Sequence, residues 1–512
     1  MFWRVWWGIL LSSALKQAQN KPPFKSAIYQ IKQRHSLCEL PQFRKTIGAQ
    51  FTPLLRTRYR RAALAPMHIW EDIMQRETAF AAESSLPFDR AVKASAVYNK
   101  VFWRLVPLLF ICYVASYLDR VNVGFAKLQM MSDLSLSDTV YGIGAGIFFI
   151  GYFIFEVPSN IILSRVGAKV WIARIMVTWG VISAAMMFVT SAEMFYVLRF
   201  LLGVAEAGFF PGVILYLTYW FPADRRARIV ATFMTGIAFA GVIGGPLSGW
   251  IMQDFAGLNG WSGWQWMFLL EGIPSVLLGI FVLFYLDDSV RGAKWLSDDE
   301  KSLIEADLAN DDSKKRTMTI GSVFTNGKVW LLSAIYFCCI MGLYGISFWL
   351  PQLIKNAGAK DVMEVGLLTA IPYATAAVGM ILISRNSDLS GERRWHIAIC
   401  AVIGAFGLLL STLVLTSIPL SLVALSLATL GILTTLPLFW TLPTGYLGGV
   451  AAAAGIAIIN SIGNLAGFAS PYLIGAIRDA TGSTNAGMYA LAMSLCIGAV
   501  CVTAFIPKTM QR

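Results

Sequence analysis

Residues 101–121 read VFWRLVPLLFICYVASYLDRV. No charge interrupts it between Leu105 and Leu118, and with its flanks the stretch has the roughly 20 residues a helix needs to cross ~30 Å of hydrocarbon. Comparable stretches recur at about 139–161, 172–190, 194–219, 227–254, 264–286, 329–352, 364–384, 395–415, 418–439, 448–477 and 487–506. This predicts an all-α integral membrane protein of twelve spans, in two sets of six. Between the sets lies 287–328, where Asp298, Asp299, Glu300, Asp311, Asp312, Lys314, Lys315 and Arg316 mark a solvated, partly amphipathic linker.

Composition agrees: of 512 residues, 57% are hydrophobic and 14% charged, where a soluble chain carries about a quarter charged. An ordinary soluble enzyme is excluded. The net charge of +12 is concentrated in residues 1–66, which hold twelve Lys and Arg against the single acid Glu39. The remainder is nearly neutral, so the basic balance is no nucleic-acid signal. Seven cysteines without a Cys-x-x-Cys pair read as reduced packing residues. His35, His68 and His396 are too scattered for a metal site. No metal or cofactor is expected.

Basic residues in short loops set the orientation. Arg165, Lys169, Arg225, Arg226, Arg228, Arg385, Arg393 and Arg394 fall on one side, Lys127, Lys355, Lys360 and Arg478 on the other. The first side is expected to be cytoplasmic, with both termini and the linker, in the cell's inner (plasma) membrane. The halves repeat: Ser164-Arg165 with Lys169 and Trp171-Ile172-Ala173 returns 220 to 224 residues later as Ser384-Arg385 with Arg394 and Trp395-His396-Ile397-Ala398. Gly245-Pro246 with Gly249 likewise returns as Ser470-Pro471 with Gly475. The expected organisation is an extension at 1–66, a six-helix bundle at 67–286, the linker at 287–328, a second bundle at 329–507 and a tail at 508–512. Residues 1–66 admit three readings: a start assigned upstream of a true Met67, a disordered cytoplasmic tail, or a targeting sequence.

A charge near the bilayer centre costs at least about 2.5 kcal/mol, so each needs a partner or a task. Asp119 and Arg120 end the first span, Glu156 lies in the second, Arg199 and Glu206 in the fourth, and Glu271 in the sixth. From Ile397 to Ile477 no Asp, Glu, Lys, Arg or His occurs. Ionic chemistry therefore belongs to the first half, and the second supplies neutral groups such as Trp440, Thr441, Asn460 and Asn464. Arg199 and Glu206 are seven residues apart, which puts them on one helix face, about 10 Å apart in rise. The expectation is that they line one cavity. A buried carboxylate can exchange a proton near neutral pH, whereas a guanidinium stays charged. Asp119 and Glu206 are thus suited to carry a proton, Arg120 and Arg199 to hold an anion. Glu156 and Glu271, near predicted helix ends, are assigned to structure.

The motifs YLDRVNVGFA at 117–126, EVPSNIILSRVGAK at 156–169, RFLLGVAEAGFFPGVILYLTYWFP at 199–222, YGISFWLP at 344–351 and AAAAGIAIINSIGNLAGFASPYLIG at 451–475 together resemble the anion:cation symporter branch of the major facilitator superfamily, most of all its transporters for tartrate and sugar acids. The resemblance spans about Val101 to Pro507. It implies symport of a small organic anion with H+ as coupling ion and no other cofactor, through two pseudo-symmetric bundles in a protein that works as a monomer. It places proton coupling at Asp119 and Glu206 and the anion at Arg120 and Arg199, with pocket contributions from Tyr117, Tyr152, Tyr344, Trp440 and Asn460. Gating falls to the loops bearing Arg165, Lys169, Asp388 and Arg393. Here the sequence departs from the superfamily's Gly-x-x-x-Asp-Arg motif: Ser159 and Ser164 stand where glycine and aspartate would, while Ser387-Asp388 is kept, so a lopsided gate is expected.

The competing function is a membrane sensor or receptor that binds the same anion without moving it, since fold does not fix function. The short polar linker is a poor output domain. An enzyme is disfavoured: no Gly-x-Ser-x-Gly, phosphate loop or His/Cys cluster occurs.

Overall fold

The computed structural model describes residues 67–313, 325–414, 417–446 and 450–507. The extension read at 1–66 and the tail at 508–512 lie outside them. In chain order the helices are α1 (Met67–Val121), α2 (Val123–Asp133), α3 (Asp138–Val166), α4 (Ala168–Ala185), α5 (Ala192–Glu206), α6 (Phe209–Thr218), α7 (Ala223–Met234), α8 (Gly236–Asp254), α9 (Gly263–Tyr285), α10 (Asp298–Ser313), α11 (Gly327–Asn356), α12 (Val362–Ser390), α13 (Arg394–Leu413), α14 (Ile418–Tyr446), α15 (Val450–Asn464), α16 (Ala466–Thr481) and α17 (Asn485–Phe505). Residues from Val92 onward form one compact unit.

Among the described residues, eleven segments are long and apolar enough to cross a membrane, the first running Val92–Asp133. The twelfth expected span, 448–477, is α15 followed by α16, each too short alone. Leu465 between them keeps helical dihedrals (φ −60°, ψ −24°), and its N–H donates to the Ile462 carbonyl at 3.2 Å while its own carbonyl accepts from Ala469 at 3.1 Å, so the chain runs on without a break in direction. Asn122 between α1 and α2 behaves alike (φ −56°, ψ −26°).

Helix starts follow capping chemistry. Ser137 accepts from the Val140 N–H at 3.2 Å to open α3, Ser191 does so for α5, and Asp361 accepts from Glu364 N–H at 2.8 Å to open α12. The break between α5 and α6 is made by Gly208 at φ 86°. An L side chain is strained there, and a Cβ would also crowd Ser159.

Packing repeats with a shift of six spans. The second span packs on the eleventh (α3 on α16) and the eighth on the fifth (α12 on α8); the third and sixth pair (α4 with α9) as do the ninth and twelfth (α13 with α17). Helix α11 packs against α2, the first span of the other half. Where halves meet, small residues let backbones approach: a Cβ at Gly142 would lie 2.5 Å from the Pro471 carbonyl oxygen, and one at Gly245 2.6 Å from that of Gly366. Large apolar side chains such as Trp103, Phe284, Leu382 and Val500 point outward, while Asp119, Arg120, Glu156, Arg199, Glu206 and Glu271 are buried. That inversion suits a protein with lipid around it.

Candidate functional site

Ser116 and Arg120 are one helical turn apart on α1 and reach the same carboxylate oxygen of Glu206 on α5. The hydroxyl donates to Oε1 at 2.6 Å and the guanidinium Nη2 forms an ion pair with it. Arg120 Nη1 donates to the Tyr344 hydroxyl on α11 at 2.8 Å, so this ion pair of the first half is tied to the second. Phe148 and Tyr152 of α3 lie 5.2 and 5.5 Å from the guanidinium carbon. Glu206 Oε2 and Arg120 Nε are buried without a hydrogen-bond partner among the described residues. The pair thus keeps one acceptor and one donor in reserve.

Arg199 does not share this arrangement. Fully buried, it donates to main-chain carbonyls: Nε to Gly144 at 3.3 Å, Nη2 to Ala145 at 3.1 Å and to Arg120 at 3.5 Å. It fastens α5 to α3 and α1 and makes no direct hydrogen bond to Glu206 among the described residues, and its Nη1 is buried without a hydrogen-bond partner among them. Asp119 turns into the first half, accepting from Trp179 Nε1 at 3.0 Å, Ser183 at 2.9 Å and Ser275 at 2.5 Å. Both its oxygens are engaged by the third and sixth spans. Sequence reasoning grouped Asp119 with Glu206 as proton carriers and Arg120 with Arg199 as anion holders; among these four the direct side-chain pairing in the structure is Arg120 with Glu206.

The expected pocket residues are buried near the junction of the halves. The Tyr117 hydroxyl shares a hydrogen bond with Ser347 at 2.8 Å, and Tyr373 donates to the same serine at 3.4 Å. Trp440 packs on Tyr336 at 5.1 Å and on Phe210 of the first half at 6.4 Å between ring centres. Asn460 Nδ2 donates to Glu156 Oε1 at 2.5 Å, and Ser461 to Oε2 at 2.5 Å. Glu156 is therefore not a helix-end residue: α3 runs ten residues past it to Val166, and it contacts the opposite half directly. Glu271 receives Ser248 at 2.6 Å, also within a helix rather than at its end.

At the basic-loop end, Arg165 lines a cavity of about 610 Å³ with Gly167, Tyr219, Asp288, Arg291 and Glu305, and the Lys169 N–H donates to Asp288 at 2.8 Å. The loop after α12 closes on itself: Arg393 pairs with Asp388 at 2.5 Å and donates to Ser387 at 3.0 Å. The linker helix α10 is anchored rather than free, with Ile304 buried and Lys100 paired to Glu300 at 2.8 Å. The Lys100 ammonium, with the Ser297 N–H, holds the Glu300 carboxyl below its ordinary range. At the opposite end Lys127 and Arg478, read only as loop charges, form a clasp. Lys127 Nζ pairs with Asp138 at 2.7 Å and sits 3.2 Å from the Trp349 ring centre. Arg478 donates to Asp138 at 3.1 Å, and Asp479 accepts from the Asp138 and Thr139 N–H groups at 3.1 and 2.7 Å.

Comparison with known proteins adds four findings. The sequence profile of the Major Facilitator Superfamily matches residues 109–471. The chain is 50% identical over 419 residues to a protein provisionally named metabolite transport protein NicT from Pseudomonas putida, covering 81% of this chain and 96% of that one. It is 49% identical over 415 residues to a provisionally named tartrate transporter from Agrobacterium vitis, covering 81% and 95%. Among solved structures, a D-xylose–proton symporter superposes with a TM-score of 0.65 at 16% identity, over 80% of this chain and 99% of that one; this similarity speaks to fold alone. The chain belongs to the Major Facilitator Superfamily and is a multi-pass membrane transporter, not an enzyme.

Proposed function

We propose that the protein is a proton-coupled symporter of a small organic anion, a tartrate-like hydroxy acid or sugar acid, working by alternating access. The observation that carries this reading is the Arg120–Glu206 pair, bonded through Arg120 to Tyr344 of the other half and holding one free acceptor and one free donor. A proton on Glu206 dissolves the ion pair. The Arg120 fork then takes a substrate carboxylate on Nε and Nη2, a geometry an ammonium cannot match.

Coupling follows from the energetics of incomplete loading. A proton without an anion leaves a buried guanidinium uncompensated, which costs about 3–5 kcal/mol. An anion without a proton sets two carboxylates against one arginine. Both half-loaded states are disfavoured relative to the empty and fully loaded carrier, so proton and anion move together. In this reading Glu206 carries the coupled proton, Asp119 braces the first, third and sixth spans, and Arg199 holds α5 in place. The naming of relatives at about half identity for tartrate and metabolite transport supports the substrate class. The basic loops support an orientation with both termini cytoplasmic, in the inner membrane, and the two bundles suffice for a working monomer.

The test is uptake of a radiolabelled carboxylate panel, tartrate and aldonates included, into proteoliposomes under an imposed pH gradient. Acid on the substrate side should drive accumulation. Glu206→Gln copies the protonated carboxyl and cannot release a proton, so it should lose gradient-driven accumulation while keeping substrate counterflow. Accumulation by Glu206→Gln under a pH gradient alone would remove Glu206 from coupling; transport of neutral or cationic substrates only would refute the reading.

A further inference from the structure

The Glu156 carboxylate is a buried acid with no cation within ion-pair distance among the described residues. Its oxygens are instead capped by two consecutive residues of the other half: Asn460 Nδ2 on Oε1 and Ser461 Oγ on Oε2, both at 2.5 Å. Arg120, the nearest guanidinium, is committed to Glu206. The ionisable groups facing this carboxylate are Arg120 from α1, Tyr152 from its own helix and Tyr344 from α11; α15 brings only the neutral Asn460 and Ser461.

Position makes the contact informative. Helices α3 and α16 close tightly around Gly142 and Gly146, where a Cβ would meet Pro471 and Phe468. Glu156 lies ten residues further along α3, a rise of about 15 Å, towards the basic-loop end. The second and eleventh spans are therefore joined twice, by small residues at one level and by this carboxylate at the other. The symmetry-related seam has no counterpart. The repeat offset of 220 to 224 residues brings Glu156 onto the stretch Ala376 to Met380, Ala-Ala-Val-Gly-Met, which contains nothing that titrates or hydrogen-bonds through a side chain.

A carboxylate in this setting is comfortable in two situations, dry with both donors in place or wet with the halves apart; a dry carboxylate without donors is costly. Partial separation of α3 from α15 is thus disfavoured, and closure at this level becomes two-state. We propose that Glu156 is a positioning residue for transport: with Asn460 and Ser461 it forms a latch between the halves that holds the basic-loop side shut and must be exchanged for water when that side opens. The inference rests on transport by alternating access, not on the identity of the anion or the coupling ion.

The test uses purified full-length protein in detergent, with a reporter cysteine at Ala457→Cys, one turn from Ser461 on the same face of α15, and a membrane-impermeant maleimide as probe. Glu156→Gln keeps the shape but turns an amide N–H towards one of the two donors; it should speed labelling of the reporter about fivefold or more, the response to losing one coupling interaction. Adding Asn460→Asp reverses the polarity of one hydrogen bond and leaves the Gln oxygen for Ser461, and should return labelling to within about twofold of the parent. A residue that merely fills space would show neither the acceleration nor the rescue. Unchanged labelling in Glu156→Gln, or acceleration that Asn460→Asp does not reverse, overturns the latch. If Glu156→Gln does not yield folded protein, Ser461→Ala serves instead: faster labelling supports the latch, parental labelling overturns it. Failure of proton-driven anion uptake with this labelling pattern intact would sink the proposed substrate and coupling alone.

Discussion

Replacing Gly142 by alanine tests whether the seam between α3 and α16 opens during transport. The added methyl would sit 2.5 Å from the Pro471 carbonyl oxygen and 3.0 Å from the Tyr472 Cα. These are backbone atoms, so neither can rotate aside, and the helices must part by about 0.6 Å to reach even a tight ~3.1 Å contact. The same displacement stretches the Asp138 N–H to Asp479 bond, 3.1 Å in the structure, beyond the ~3.5 Å at which a hydrogen bond is lost. Overpacking of this kind costs about 1–3 kcal/mol. Because the clash exists only while the seam is closed, the whole penalty falls on the closed state, shifting the equilibrium towards opening by roughly 5- to 150-fold. The assay is maleimide labelling of a Thr139→Cys reporter in purified protein. Gly244→Ala is the control, since its Cβ would meet nothing nearer than 3.5 Å, from Leu118, and a helical Gly→Ala exchange otherwise stabilises by about 0.5–1 kcal/mol. Labelling should accelerate in Gly142→Ala and stay parental in Gly244→Ala. Equal rates in both variants would refute the claim that this seam is a moving, close-packed contact.

Asp119→Asn removes one acceptor from a carboxylate that holds three donors, so it should lower thermal stability by about 1–3 kcal/mol while leaving substrate affinity near the parental value; a large affinity loss at parental stability would return Asp119 to the binding site. Lys127→Met deletes the buried cation beside Asp138 and should make Thr139→Cys more reactive, whereas parental reactivity would mean that Arg478 alone maintains the clasp. For orientation, Ser302→Cys should label only from the cytoplasm and Asn356→Cys only from outside in intact cells, and the reverse pattern would invert the topology.

The spans were legible because hydrophobic runs bounded by charges report a bilayer directly, and the buried ionisable side chains were legible because each is rare in such a run. What the sequence withheld was which way those side chains turn. Arg199 and Glu206 share a helix face, yet Arg199 meets carbonyl oxygens of Gly144 and Ala145, acceptors that every residue carries and no motif reveals. Glu156 reads as a helix-end residue when its span stops near 161, five residues short of Val166, and Asn460 and Ser461 lie some 300 positions away, where no local pattern points to them. To the positive-inside rule Lys127 and Arg478 are interchangeable positive charges; only the fold shows that both pair with the single acid Asp138.

Away from the Asp138 clasp, the second half meets the buried Arg120 and Glu156 of the first with neutral partners: Tyr344 on Arg120, Asn460 and Ser461 on Glu156. Since no Asp, Glu, Lys, Arg or His occurs from Ile397 to Ile477, exchanges among neutral residues there alter shape and hydrogen bonding without removing a charged group. If the proposed coupling at Glu206 holds, a chimera that joins this first half to the second half of a relative with different cargo is expected to inherit the relative's diet and this protein's power supply.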